Sequence, residues 1–156
     1  LTGVNSRRRF LELLDKEIKR TNRTDQPFCL MIMDIDFFKT VNDRFGHAVG
    51  DQVLSHFADL LLSNIREIDE AGRLGGEEFG VILPGTSINS AFNIAQRLCS
   101  TVENQEIFTS AKKINITVSI GVSELKIGET GDQLIIRADT AMYAAKQNGR
   151  NRVETA

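Results

Sequence analysis

The chain has 156 residues, a hydrophobic share of 41%, and 19 basic against 21 acidic residues, for a formal charge of −2. That length suits a single domain over residues 1–156 with a full core, and the near-balanced charge excludes the broad positive field on which binding to a DNA or RNA polymer relies. The longest apolar run, residues 28–33, is too short to span a bilayer, no signal-peptide layout opens the chain, and Cys29 and Cys99 are scattered, which predicts a cytoplasmic domain with buried free thiols and no membrane contact of its own. The abrupt start at Leu1-Thr2-Gly3 is expected to be a cut from a longer polypeptide, which leaves room for an upstream anchor.

Residues 6–22 put Phe10, Leu13, Leu14 and Ile18 at helical spacing behind Ser6 as N-cap. A polar loop at 22–27 follows. The run 28–33 lacks alternation, as a central strand covered on both faces would, and it ends in Asp34-Ile35-Asp36. Asp36 reads as the cap of a short helix over 37–45 that Gly46 terminates. Residues 47–51 read as a second loop, leading into a long helix with Val53, Leu54, Phe57, Leu61 and Ile65 on its apolar face.

Two short strands, about 70–74 and 78–83, flank Gly75-Gly76. Such a pair supplies the positive φ angles of a tight turn and lets a phosphate approach the main chain. Glu77 and Glu78 beside it are suited to the metal such a phosphate carries. By itself this tetrapeptide describes an ordinary turn whose acids keep a sheet edge soluble.

Ser87 caps the next helix, with Ala91, Ile94, Ala95 and Leu98, and residues 103–113 read as a loop. Ile114, Ile116, Val118, Ile120 and Val122 then alternate with polar or small residues, so one face of that strand is core and the other lies against polar or small groups. Leu134, Ile135, Ala138, Ala141, Met142 and Ala145 follow a helical repeat that Gly149 stops, before a last strand at about 151–154. This order predicts an α+β fold, an α/β sandwich with a five-stranded, mainly antiparallel sheet flanked by helices. Asp34 would then approach Glu77 and Glu78 at one sheet edge.

Asp34-Ile35-Asp36-Phe37-Phe38-Lys39, Asn42-Asp43, Gly46-His47, Gly50-Asp51, Arg73-x-Gly75-Gly76-Glu77-Glu78-Phe79 and Ala138-Asp139-x-x-Met142-Tyr143-x-Ala145-Lys146 occur in this order. The set resembles the GGDEF-domain diguanylate cyclases over nearly the whole chain, and Glu77 corresponds to a common variant within that family. The resemblance implies a fold like the polymerase palm and the class III nucleotide cyclases. It also implies condensation of two GTP molecules into the second messenger cyclic di-GMP with release of pyrophosphate, in a bacterial signalling protein. The implied cofactor is Mg²⁺, two ions per half-site with Mn²⁺ as a substitute, because attack of a ribose 3′-hydroxyl on an α-phosphate needs an ionised nucleophile and neutralised phosphates.

By the same resemblance Asp34 and Glu77 hold the metal, joined by the Ile35 carbonyl and Glu78, and Glu77 accepts or steers the hydroxyl proton, directly or through water. Asn42 and Asp51 match the guanine-binding residues, since one carboxylate accepts both donors of the guanine edge. Lys39, Lys146 and Arg150 are candidates for the triphosphate, with the N–H groups at Phe37 and Phe38 and the room left by Gly76. His47 either organises its turn or touches substrate. Arg66-Glu67-Ile68-Asp69 fits an RxxD product-inhibition site, with Arg97 as a secondary contact that would let bound cyclic di-GMP link two domains. Each domain holds one GTP, so catalysis implies a homodimer. Ser6 stands where the family usually has asparagine. The alternatives are a catalytically silent receptor for cyclic di-GMP or GTP, which the retained Glu77 and Glu78 argue against, and a cyclase making a monomeric cyclic nucleotide, disfavoured by Asn42, Asp51 and the RxxD pair.

Overall fold

The structure is a computed structural model and describes residues 2–156. Helix α1 (Arg7–Thr24) starts where the Ser6 side chain accepts from the Arg9 N–H, and it buries Phe10, Leu14 and Ile18. Strand β1 (Phe28–Ile35) is buried at every position, which a strand achieves only with helices on both faces. Helices α2 (Phe38–Phe45) and α3 (His47–Ser63) follow, then the hairpin β2 (Glu70–Gly75) and β3 (Glu78–Pro84), and α4 (Ile88–Asn104). The rest is a small hairpin, β4 (Ile107–Phe108) with β5 (Lys113–Ile114), then β6 (Val118–Glu124), α5 (Gly131–Gln147) and β7 (Arg152–Thr155). The main sheet has the order β2-β3-β1-β6-β7 and is antiparallel except between β6 and β7, as the expected α+β architecture requires.

The pleat sorts the side chains into two cores. Met31, Met33, Val81, Ile120 and Val122 meet Phe57 and Leu61 of α3 and Ala91 and Ala95 of α4. Phe28, Leu30, Ile32 and Ile82 meet Phe10 and Leu14 of α1 and Leu134, Ala138 and Met142 of α5. Alternation therefore carries Asp34 onto the α5 side of β1. The small residues of β6 let α5 rest on the strand backbone: a Cβ at Gly121 would stand 2.0 Å from the Ala138 carbonyl oxygen and 2.2 Å from the Met142 nitrogen.

Several boundaries differ from the sequence reading. Residues 47–51 are the first turn of α3 and not a loop. The segment 103–113 holds the end of α4 and most of the β4–β5 hairpin, and the strand expected from 114 begins at Val118. The last strand is shifted to Arg152–Thr155. In the β2–β3 turn only Gly76 of the glycine pair takes a positive φ, 41°, and the register slips between Arg73 and Gly75. Asp36 does not cap α2: Phe37 occupies that position at φ 56° with no side-chain cap, because the Asp36 carboxylate is buried against Thr117 and Ser119. Cys29 and Cys99 are free and buried, as expected, and burial pushes both thiols up to about 12. Among the described residues no helix is long and apolar enough to cross a membrane.

Candidate active site

The register of β1 on β3 sets Asp34 directly opposite Glu78, and the Ile35 N–H donates to the Glu77 carbonyl at 3.3 Å. Two carboxylates and a third at the turn are thus gathered by strand pairing alone. Arg73 fixes the turn by donating from Nε to the Gly76 carbonyl at 2.8 Å. From α5, Lys146 Nζ reaches Asp34 Oδ2 at 3.0 Å.

Asp34 is 8% exposed. Burial raises its pKa above the usual carboxylate range, the Lys146 hydrogen bond and charge oppose this, and Glu77 and Asp36 add to it. Glu78 is raised as well, first by burial and then by Asp139 and Asp34, against Lys146 and Arg7. Both shifts come first from burial, which penalises the charged form, and then from the neighbouring carboxylates, with Lys146 opposing them.

At the corner of α2 and α3 the Asn42 carboxamide oxygen is buried and has no hydrogen-bond partner. A Cβ at Gly50 would lie 1.8 Å from that oxygen, so the glycine makes room for the amide, and Asp51 follows it, exposed. Lys39 is exposed in the first turn of α2, and His47 is exposed as the first residue of α3. Phe37 is exposed with the Arg150 guanidinium over its ring at 4.6 Å, whereas Phe38 belongs to the core. Gly76 is exposed at the hairpin tip.

Asp34, Glu77, Glu78, Lys146, Phe37 and Arg150 therefore converge at the carboxyl end of β1, with Asn42 and Asp51 on the helices that leave it. Arg66, Asp69 and Arg97 are elsewhere, near the end of β3 that carries Pro84. Asp69 is buried and accepts from the Arg66 main-chain N–H at 2.8 Å and from its Nη2 at 2.7 Å, while Nη2 also donates to the Pro84 carbonyl and Thr86. Arg97 donates to the Asn64 carbonyl at 3.0 Å, in the same turn between α3 and β2. A ligand reaching Asp69 has to open the pair with Arg66.

Sequence reading gave no role to Arg73 or Asp139, although both lie inside the motifs, and it misassigned Asp36. An arginine three residues before Gly76 was the available signal for the first. A cavity of about 680 Å³ opens on α2 between Val41, Phe45, Ile114 and Ile116, and reaches Asp36 and Phe37 beside the cluster above.

Among the described residues no three acidic, histidine or cysteine side chains form a ready metal cage. The donor chemistry nevertheless fits a hard divalent ion: the carboxylates are oxygen donors, they repel one another, and an ammonium now sits on Asp34.

Residues 1–152 match the family model described as "Diguanylate cyclase, GGDEF domain". The chain belongs to the GGDEF-domain family. It is 45% identical over 157 residues to the response regulator PleD of Caulobacter vibrioides, covering 98% of this chain and 34% of that protein. Diguanylate cyclase A of Treponema denticola is 41% identical over 157 residues, with 98% of this chain and 42% of that protein covered. The chain thus spans well under half the length of these relatives. In structure it is similar to the GGDEF domain of DgcB from Caulobacter crescentus in complex with c-di-GMP, with a TM-score of 0.95 at 34% identity over 99% of this chain and 89% of that one.

Proposed function

We propose that this domain is a diguanylate cyclase that joins two GTP molecules into cyclic di-GMP and releases two pyrophosphates. The observation that carries the reading is the convergence of the buried carboxylates Asp34 and Glu78 with Lys146 and Arg150 at the end of β1, in a member of this family. Asp34, Glu77, Glu78 and the Ile35 carbonyl are the groups that would hold Mg²⁺, which when bound neutralises phosphate charge and eases ionisation of the ribose 3′-hydroxyl.

Asn42 and Asp51 take the guanine. A buried amide oxygen without a donor is the kind of group that a base N–H satisfies on entering. Lys39, Lys146 and Arg150 hold the triphosphate beside the first N–H groups of α2, which no side chain caps, with Gly76 leaving room at the hairpin tip and His47 at the rim. Glu77 steers the hydroxyl proton. One domain binds one GTP, so the bond forms between two copies facing each other. Cyclic di-GMP acts back through Arg66 and Arg97, two guanidinium groups at one turn, with Asp69 as the anchor of Arg66.

The test is incubation of concentrated or artificially dimerised protein with GTP and Mg²⁺, followed by separation of products. Cyclic di-GMP and pyrophosphate are expected. A folded, GTP-binding dimer that makes no cyclic di-GMP would sink the enzyme reading, and retained cyclic di-GMP binding in that protein would point to a silent receptor.

A further inference from the structure

Asp36 is 4% exposed, and its carboxylate accepts from Thr117 Oγ1 at 2.7 Å, Ser119 Oγ at 2.7 Å and the Asn151 main-chain N–H at 3.0 Å. Its own N–H donates to the Thr117 carbonyl at 2.9 Å. The carboxylate thus ties the end of β1 to the start of β6 and to the link between α5 and β7. That link is unusual: Arg150 and Asn151 are consecutive non-glycine residues at φ 65° and 47°. Side chains of the L hand disfavour this region, so the conformation persists only where surrounding contacts impose it. Two are visible, the Arg150 N–H on the Ala145 carbonyl at 2.9 Å and the Asn151 N–H on Asp36. The outcome of the turn is the Arg150 guanidinium lying across the exposed Phe37 ring, one residue beyond Asp36.

We infer that Asp36 is a positioning residue: by holding the Asn151 N–H it fixes the left-handed Arg150-Asn151 pair and keeps the Arg150 guanidinium over Phe37, aimed at the nucleotide phosphates. It neither holds the metal nor touches substrate. The inference rests on the reading of Arg150 as a phosphate contact, and its consequence for conformation can be measured without any nucleotide.

Two measurements on the chain test it. The first is NMR of the Arg150 side chain, whose protons are displaced by the Phe37 ring in the wild type. Asp36→Ala should move them toward the values of a free arginine, and Asp36→Asn, which keeps one acceptor, should restore part of the displacement. The second is titration with a non-hydrolysable GTP analogue and Mg²⁺. Asp36→Ala and Arg150→Ala should each weaken binding about 10-fold to 100-fold, and the double variant no more than Arg150→Ala alone. Unmoved Arg150 resonances in Asp36→Ala, or losses that add in the double variant, overturn the proposal. If Asp36→Ala does not fold, Thr117→Val carries the same test with a smaller displacement expected and the same overturning result. A wild type that fails to bind the analogue counts against the nucleotide reading, while the resonance measurement still decides the role of Asp36.

Discussion

The two ends of the central sheet use the same residue types to opposite effect. Where β1 ends, Asp34, Glu77 and Glu78 crowd together with Asp139 nearby, and Lys146 is the cation bonded to Asp34; burial and mutual repulsion raise both Asp34 and Glu78. Where β1 begins, opposite Pro84, Asp69 and Glu129 are each matched by an arginine. Arg66 takes Asp69, the Pro84 carbonyl and Thr86, and Arg137 takes Glu129 and the Glu124 carbonyl, so its hydrogen bond holds the Glu129 carboxyl below the usual range against the opposing cost of burial. Satisfied pairs fix a fold. Buried carboxylates that repel one another cost stability, and groups perturbed in this way cluster at functional sites.

The largest effect expected from this contrast is on turnover. Asp34→Asn or Glu77→Gln should lower cyclic di-GMP formation by about 10²-fold or more, because each removes a charge on which several kcal/mol of transition-state stabilisation depend. Neither should unfold the domain, since each relieves repulsion among crowded acids; thermal melts check this, and retained turnover would remove the metal assignment. Next is Gly50→Ala. The added Cβ lands 1.8 Å from the Asn42 oxygen, so the amide has to leave its place, and guanine nucleotide affinity measured by calorimetry should fall by roughly tenfold, on the order of one lost base contact. Unchanged affinity would mean that Asn42 does not read the base.

Much of this was legible in the chain because it depends on near neighbours. The unbroken apolar run before Asp34 and the Ser6 and Ser87 caps are local signals that the structure bears out, and the strand pairing sets Glu78, beside Gly75-Gly76, opposite Asp34. Asp36 was misread because its hydroxyl partners lie 81 and 83 residues away, and a buried carboxylate with three donors outweighs a cap. The start of α3 was misread for a related reason. Gly46 and Gly50 look like loop residues, but Gly50 is glycine because Asn42 occupies the space of a side chain, and packing on α2 overrides its weak helix propensity. The satisfied state of Asp69 was also hidden, since the sequence spacing says that Arg66 and Asp69 are near each other and not that they already bond.

At the matched end, the effects spare turnover and fall on product binding and stability. Arg66→Ala should abolish tight cyclic di-GMP binding and spare turnover, and it should also cost about 1–3 kcal/mol in urea unfolding, because it strips a buried carboxylate of its side-chain donors. Arg66→Lys should not restore either property, since an ammonium lacks the fork that spans Asp69, Pro84 and Thr86. Product affinity equal to wild type in Arg66→Ala would leave the pair as a clamp on the turn and nothing more.

The last effect, confined to stability and its pH dependence, concerns Glu129 and Arg137, whose side chains are 8% and 22% exposed. A carboxyl held below its ordinary value of 4.5 contributes stability that is present above that value and is lost as pH falls through the lower, folded value. Arg137→Met should therefore be less stable than wild type by about 1–3 kcal/mol at neutral pH, and the gap should stay level down to roughly pH 5. Below that it should narrow as Glu129 takes up its proton in the wild type. A remainder should survive in acid, because the Arg137 bond to the Glu124 carbonyl does not titrate. Urea titrations of both proteins from pH 8 to about pH 3 separate the two contributions, since every other carboxylate titrates alike in the pair. A gap that is constant over the whole range would assign all of it to the carbonyl contact and would remove the charge pairing from one side of the contrast between the two ends of the sheet.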